Sequence, residues 1–227
     1  MRKLILTAVL ALGAFSLIGC HNKVIEPEQP LRPMQQSFMG VLPCADCSGI
    51  ETSLFLQEDG TYVLNQHYQG TPGKEFSRAD YGTWARTADK LVLTDKQGGK
   101  RYFHPNGENL DMLDVDGNAI KSSFNYQLKP VQQSMPKTPM ALSGMLQFNT
   151  DKASFIDCTT GKLIPVAVNV QLHQEYVKAQ STPNQLIFVS MDGHFTVEPS
   201  DDDRQWQKAL VVDGQIAFDQ RKNCDSK

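Results

Sequence analysis

Five cysteines are the residues of this chain whose type and spacing could do chemistry. Cys44 and Cys47 form a C-x-x-C motif, while Cys20, Cys158 and Cys224 stand apart from it. A C-x-x-C pair can be a redox couple, a soft thiolate site for Cu(I), or a structural disulfide. The sequence has no second C-x-x-C that would complete a tetrahedral zinc site. The compartment in which the protein folds therefore decides which form this sulfur chemistry takes.

The first twenty residues resemble a bacterial lipoprotein export signal. Arg2 and Lys3 precede an apolar stretch over residues 4–18, which is short for a membrane span and fits the core of a signal peptide. Gly19 and Cys20 follow it, as in a lipobox. We expect residues 1–19 to be removed and Cys20 to be acylated, which anchors the mature chain to a membrane. An ordinary secretory signal with a chance cysteine is the alternative.

His21 bears on the destination of the mature chain. By resemblance to the bacterial sorting rule, an aspartate after the acylated cysteine retains a lipoprotein at the inner membrane. His21 therefore favours delivery by the lipoprotein sorting machinery to the outer membrane, with the folded part facing the periplasm of a Gram-negative cell. Residues 20–36 carry three prolines among polar residues and predict a flexible tether. Fully extended, this tether reaches about 50–60 Å.

Four cysteines remain after Cys20, and in an oxidising compartment they predict two disulfides. Three pairings are open. The simplest joins Cys44 to Cys47 and Cys158 to Cys224, because each bond then lies within one half of the chain. Cys44 and Cys47 also form the candidate copper or redox site. The motif lacks the helix start that lowers a thiol pKa in thioredoxin-like enzymes, so we favour a disulfide that closes a loop.

Residues 37–129 alternate between short apolar-patterned segments and turn residues. Segments 52–57 and 61–66 alternate in phase around Glu58-Asp59-Gly60, where glycine allows a tight turn. Seven or eight such segments at near-regular spacing predict an antiparallel, closed, lipocalin-like small β-barrel. The protein is therefore expected to be mostly β.

Residues 130–139 contain three prolines and little to bury, so they predict a linker. The second domain, 140–227, shows five or six strand patterns and one short helix capped by Asn169. We expect a hairpin turn at Asp192-Gly193. This combination fits an OB-fold-like barrel.

Several segments together resemble the NlpE family of outer-membrane lipoproteins, also called copper homeostasis proteins. The resemblance covers the mature chain in order and rests on five segments, GVLPCADCSGIET at 40–52, YGTW at 81–84, LVL at 91–93, SFIDCTTGK at 154–162 and DGHF at 192–195. It implies a lipocalin-like domain followed by an OB-like domain. It also implies a role in the Cpx envelope-stress response, activated by surface contact or failed lipoprotein sorting. Residues 199–208 match no part of this pattern.

The leading functional hypothesis is a lipid-anchored, non-enzymatic stress sensor that acts on the periplasmic sensor domain of the Cpx histidine kinase, with redox or copper stress as further triggers. The alternative is a periplasmic lipoprotein that binds copper or a small apolar ligand in its barrel. No cofactor is required in the first hypothesis, and copper is the one considered in the second. Strand exchange between the two β domains is a route to an oligomer.

Other function classes lack support in the sequence. The formal net charge of −3 offers no basic surface for nucleic acid. No phosphate-binding loop, nucleophile elbow or H-E-x-x-H motif occurs, so no catalytic residues are assigned. Four scattered histidines, His67, His104, His173 and His194, are expected to be surface or satisfied residues. For His194 we identify no carboxylate partner.

Overall fold

Two closed β-barrels follow one another along the chain. The computed structural model describes residues 35–70, 73–150, 152–200 and 206–226. The predicted signal, the acylation site Cys20 and nearly all of the predicted tether lie outside the described residues. The mostly β class and the order of a barrel followed by an OB domain are both confirmed.

The first barrel is an up-and-down meander in which every strand pairs with its neighbours and the last closes on the first. Its strands are β1 (Gln36–Leu42), β2 (Gly49–Leu56), β3 (Thr61–Gln69), β4 (Phe76–Arg86), β5 (Leu91–Asp95), β6 (Lys100–Asn106), β7 (Asn109–Met112) and β8 (Gln127–Val131). Inward-facing residues alternate along each strand, as a closed barrel requires. Twelve buried apolar side chains, among them Leu54, Leu64 and Trp84, fill the interior.

The predicted turn at Glu58-Asp59-Gly60 is confirmed. Gly60 has a φ of 81°, a conformation that glycine adopts without a Cβ clash. Asp59 Oδ1 accepts hydrogen bonds from the Thr61 amide at 2.9 Å and the Thr61 hydroxyl at 2.5 Å. The turn thus fixes the register of β2 against β3, with Leu54 opposite Leu64.

The second barrel has five strands, with one helix between the third and the fourth. The elements are β9 (Met140–Asn149), β10 (Lys152–Asp157), β11 (Leu163–Val166), α1 (Val170–Ala179), β12 (Ile187–Pro199) and β13 (Trp206–Asp219). Closure comes from a parallel contact of β11 with β13, at Val166 and Leu210. As predicted, Asn169 caps α1, and its side chain accepts from the Leu172 amide at 2.9 Å. Leu172 and Tyr176 on its buried face then enter the core.

The hairpin turn expected at Asp192-Gly193 is wrong, because β12 runs straight through both residues to Pro199. The β12–β13 register shifts on each side of Asp192, which marks an irregularity in the ladder rather than a reversal. A Cβ built on Gly193 would lie 2.6 Å from the Val211 carbonyl oxygen. Glycine is needed there for the close approach of β13.

The connection between the barrels packs against both domains. Strand β8 continues to Val131, two residues past the end expected for the first domain. Gln133 Nε2 donates to Ser53 Oγ at 3.0 Å. Met135 packs against the apolar cluster of the second barrel.

The outer face of the first barrel is covered by the second domain. Phe55, Val63, Ala79 and Tyr81 on β2, β3 and β4 point away from their own barrel interior and are buried. They belong to the same buried cluster as residues of the second barrel, including Phe195. The core of the second barrel therefore extends across the interface onto this outer face, while the interior of the first barrel forms a separate cluster.

Candidate functional site

The C-x-x-C motif forms a small ring at one end of the first barrel. Cys44 and Cys47 are disulfide-bonded and partly exposed, in the loop between β1 and β2. The barrel ladder closes this loop independently, since Leu42 pairs with Ile50. The chain enters the barrel at Gln36, at the opposite end of the same strand. The motif thus lies at the end of the barrel far from the point where the tether arrives.

The second disulfide joins Cys158, directly after β10, to Cys224 in the C-terminal segment. Cys224 is exposed, so a soluble thiol can reach this bond. The Cys158 amide donates to the Ser143 carbonyl at 3.0 Å. The bond therefore ties the C-terminal segment to the C-terminal end of β10, beside Ser143 of β9.

A tight turn begins at Asp157, one residue before Cys158. The Asp157 side chain is fully buried, and its Oδ2 accepts from the Thr160 amide at 2.8 Å and the Thr160 hydroxyl at 2.5 Å. The Asp157 carbonyl accepts from the Gly161 amide at 2.8 Å, and Gly161 has a φ of 68°. The carboxylate thus organises the turn that carries the disulfide.

The same carboxylate reaches across the domain interface. Tyr81 on β4 donates its hydroxyl hydrogen to Asp157 Oδ1 at 2.7 Å, and Thr159 Oγ1 lies 2.9 Å from the Tyr81 oxygen. The Tyr81 ring packs edge-on against Phe195 with centroids 5.4 Å apart. Burial raises the pKa of Tyr81 and the charge of Asp157 raises it further, so the hydroxyl is protonated and acts as a donor at neutral pH.

An ion pair forms a second polar contact between the domains. Lys208 Nζ on β13 lies 2.6 Å from Asp59 Oδ2 and 2.8 Å from Thr61 Oγ1, at the β2–β3 turn. It also lies over the Phe195 ring, 5.1 Å from its centroid. Burial acts to raise the pKa of Asp59, but the hydrogen bonds from Lys208 and Thr61 outweigh it and hold that pKa below its usual value.

The expectation that His194 lacks a carboxylate partner is wrong, because His194 contacts Asp213. Its Nδ1 lies 2.9 Å from one oxygen of Asp213 and 3.1 Å from the other. The register of β12 against β13 places His194 opposite Val211, two residues before Asp213 on β13. This register brings the His194 and Asp213 side chains together. His194 also lines a cleft of about 630 Å³ between the domains, together with Ser37, Phe55 and Met135.

The structure separates the sequence-predicted sulfur residues into two independent sites, one in each domain. In the described ranges, no group of three or more His, Cys, Asp or Glu side chains is arranged to hold a metal ion. Among the described helices, none is long and apolar enough to cross a membrane.

Sequence reasoning missed the Tyr81–Asp157 contact and the Lys208–Asp59 pair. One signal for Asp157 was present. Ala153, Phe155 and Asp157 share a face of β10 by strand alternation, and an acid in line with a core phenylalanine needs a buried partner. Nothing local in the sequence indicated that the partner lies in the other domain.

Two family models together match most of the chain. Residues 38–123 match the NlpE N-terminal domain, and residues 136–225 match the NlpE C-terminal OB domain. The chain belongs to the NlpE family. Each NlpE domain model falls on one of the two barrels, and the interval between them contains β8 and the connection.

The chain is also similar to a lipoprotein of known sequence and to two solved structures. The chain is 47% identical to "Lipoprotein NlpE" of Escherichia coli (strain K12) over 232 aligned residues, which span 100% of this chain and 98% of the relative. A crystal structure of the Cpx pathway activator NlpE from Escherichia coli is 48% identical and covers 86% of this chain and 100% of its own, with a TM-score of 0.41. A putative lipoprotein from Shewanella oneidensis is 31% identical over 43% of this chain and 89% of its own, with a TM-score of 0.36.

Proposed function

We propose that this protein is a lipid-anchored envelope lipoprotein that activates a Cpx-type two-component pathway without catalysing a reaction. The observation that carries the proposal is the full-length, 47% identity to the Escherichia coli lipoprotein NlpE, which is described as the Cpx pathway activator. Acylated Cys20 is the anchor, and the outer membrane is the destination. The periplasmic sensor domain of the pathway's histidine kinase is the partner.

Location is the switch in this proposal. A tether of residues 20–36 that reaches about 50–60 Å keeps the folded domains near the membrane that holds Cys20. Protein held at the outer membrane is removed from the kinase, whereas protein left at the inner membrane meets it at a high effective concentration. Failed sorting acts by leaving the domains within reach of the kinase.

Redirecting the anchor tests this switch. His21→Asp supplies the inner-membrane retention signal, and we expect it to raise the output of a Cpx-dependent reporter several-fold at equal protein level. His21→Ser is the matched control and is expected to leave both membrane fraction and reporter output unchanged. Membrane fractionation measured beside the reporter makes the result decisive: His21→Asp protein in the inner membrane with unchanged output would contradict the proposal.

Copper binding by Cys44 and Cys47 is the second candidate. It is favoured by the position of the pair on a partly exposed loop that the barrel ladder closes without help. Once reduced, the two thiolates are soft ligands that suit Cu(I). An apolar ligand in the barrel would have to displace the side chains that fill it, including Leu54 and Trp84.

Titration of Cu(I) into reduced and oxidised protein tests this candidate. We expect one equivalent to bind to the reduced protein only, and Cys44→Ser to abolish that binding. Cys158→Ser is the matched control, because it removes a thiol from the other domain. Copper binding by the oxidised protein, or by reduced Cys44→Ser, that equals the binding by the reduced wild type would exclude this site.

A further inference from the structure

We propose that a groove between the two domains is a binding site for a polyproline-type peptide, and that its occupant is residues 27–34 of this same chain. The groove has a volume of about 390 Å³ and is here called the Trp206 groove. Leu163, Val197 and Trp206 line it from the second barrel, and Glu58 of the β2–β3 turn lines it from the first. Docking of residues 27–34 takes up about half of the tether and shortens its reach.

The apolar wall of this groove is exposed and continues the domain interface. Trp206 is 73% exposed and Leu163 is 67% exposed, although both side chains are large and apolar. Val197 lies on the same face of β12 as Phe195, which is buried in the cluster between the domains. The exposed strip therefore extends an existing apolar contact to the surface, and contiguous apolar surface of this kind marks a binding site.

The tether reaches the folded domains beside this groove. Gln35, the residue that follows Met34, lines the Trp206 groove and also the cleft at His194. The residues directly before Gln35 therefore need no additional linker to contact the apolar wall. A segment joined in this way binds at an effective concentration on the order of millimolar, so weak contacts are enough to hold it.

The segment has the proline spacing of a polyproline helix. Pro27, Pro30 and Pro33 recur every three residues, which is the period of that helix. Leu31 and Met34 are also three residues apart, so over residues 30–34 two of the three edges of such a helix are apolar. Proline-rich segments bind grooves with aromatic walls because their backbone is already extended and loses little entropy on binding.

Docking changes how far the folded domains extend from their membrane. Residues 20–26, which stay free, reach roughly 25 Å, against about 50–60 Å for the whole tether. Release of the segment thus about doubles the distance at which the domains can meet a receptor. This consequence rests on the proposed function, whereas the groove and its occupant do not.

Photo-cross-linking in the mature, full-length lipoprotein in detergent tests the occupant. Leu31 is replaced by benzoylphenylalanine, which on illumination joins to C–H groups in contact with it, and mass spectrometry locates the product. We expect the product on the peptides that contain Leu163, Val197 or Trp206. The same replacement at Gln29, on the third edge of the helix, is the matched control and should give several-fold less of it.

The location of the cross-link decides the outcome. Equal yields from the two positions, or products spread over both barrels, would overturn the assignment of residues 27–34 to the groove. A cross-linked dimer in place of an internal cross-link would show that the segment of a second copy is bound, and would overturn binding within one chain.

Tryptophan fluorescence gives a second test of the same contact. The chain has two tryptophans, and Trp84 is buried in the first barrel, so acrylamide quenches mainly Trp206. Pro30→Ser with Pro33→Ser is expected to increase the quenching and to shift the emission to longer wavelength, because water then reaches the indole. Glu26→Gln with Gln29→Ser is the matched control and should change neither. Unchanged quenching in the proline variant would exclude the docked segment.

A substitution in the groove tests the other side of the contact. Leu163→Glu is expected to increase Trp206 quenching as the proline variant does, and the two combined should give no further increase, because they remove the same contact. Val168→Glu is the matched control, since Val168 is also an exposed apolar residue of the second domain and does not line this groove. Fully additive effects would show that the segment and the groove do not meet.

A Cpx-dependent reporter tests the effect on reach. Pro30→Ser with Pro33→Ser should raise its output several-fold at equal protein level and membrane fraction, and should change it little in the His21→Asp background, where the domains are already beside the kinase. If quenching shows the segment released and output is unchanged, the effect on reach is overturned. Failure of His21→Asp alone to raise output would instead contradict the proposed function, so the two failures are distinguishable.

Discussion

The two disulfides of the chain lie at opposite extremes of sequence separation, three residues for Cys44–Cys47 and 66 for Cys158–Cys224. The first closes a loop whose ends the β1–β2 ladder joins already. The second fastens a C-terminal segment that lies beyond the last ladder pair of β13, Phe188 with Asp219. A disulfide therefore contributes most to the native structure where no backbone hydrogen bonds already hold the two linked segments together.

The largest expected effect is the loss of the long-range bond. Loop-closure entropy assigns Cys158–Cys224 about 4 kcal/mol, which approaches the whole stability of a small domain. Cys158→Ser should therefore lower the free energy of unfolding of the second domain by about this amount. Hydrogen exchange resolved by peptide measures it, with peptides of β9–β13 losing protection while those of β5–β7 keep theirs. Equal loss in both domains would contradict the separation of the two cores.

The short-range bond should matter less. The same entropy argument gives the Cys44–Cys47 ring about 2 kcal/mol, because closing so short a loop restricts the unfolded chain less. The double variant Cys44→Ser, Cys47→Ser should keep a folded first barrel with the second domain packed against it. Urea denaturation followed by Trp84 fluorescence in a Trp206→Phe background measures the barrel alone. A loss in the free energy of unfolding as large as that of Cys158→Ser would contradict the expected difference between the two bonds.

The smallest effect is expected at the interdomain ion pair. Lys208→Met should lower stability by about 1 kcal/mol or less, because Asp59 is 34% exposed and solvent screens the pair. Since the pKa of Asp59 is lowered in the folded protein, the stabilisation is complete above its ordinary value of 3.8 and disappears as pH falls through the lowered pKa.

Urea denaturation of wild type and Lys208→Met between pH 7 and pH 3 measures this dependence. The stability difference should stay constant from pH 7 to about pH 5 and shrink below about pH 4. Lys178→Met, which removes an exposed pair within α1, is the matched control for the loss of a lysine. A difference that instead grows on acidification would show that Asp59 is not the partner that matters.

Much of the secondary structure was predictable because its causes are local. Alternation places Leu54 and Leu56 inside the first barrel, and Gly60 makes the turn after them. Asn169 begins the helix by capping it. Asp192-Gly193 misled the same reasoning, because the sequence of a turn and that of an irregular, closely approached strand are alike there. Only the partner strand β13 distinguishes the two.

The sequence allowed prediction of the disulfides but not of the contacts between side chains that are distant in the chain. Cysteine number and compartment predict two disulfides, and the structure contains Cys44–Cys47 and Cys158–Cys224. The His194–Asp213 contact depends on strand register, and the Tyr81–Asp157 contact joins residues 76 positions apart. No spacing rule connects such positions, because their proximity is set by how two finished barrels pack.

The sequence by itself determined two β domains of the NlpE pattern, and from it we predicted an export signal with Cys20 as the anchor and a sulfur chemistry suited to an oxidising compartment. These depend on composition, periodicity and motif, which act over a few residues at a time. Tertiary structure alone decided that Phe55, Val63 and Tyr81 face another domain instead of solvent, and that Asp157 links this interface to a disulfide. Apolar burial favours covering such a face, but only the shapes of both barrels determine what covers it.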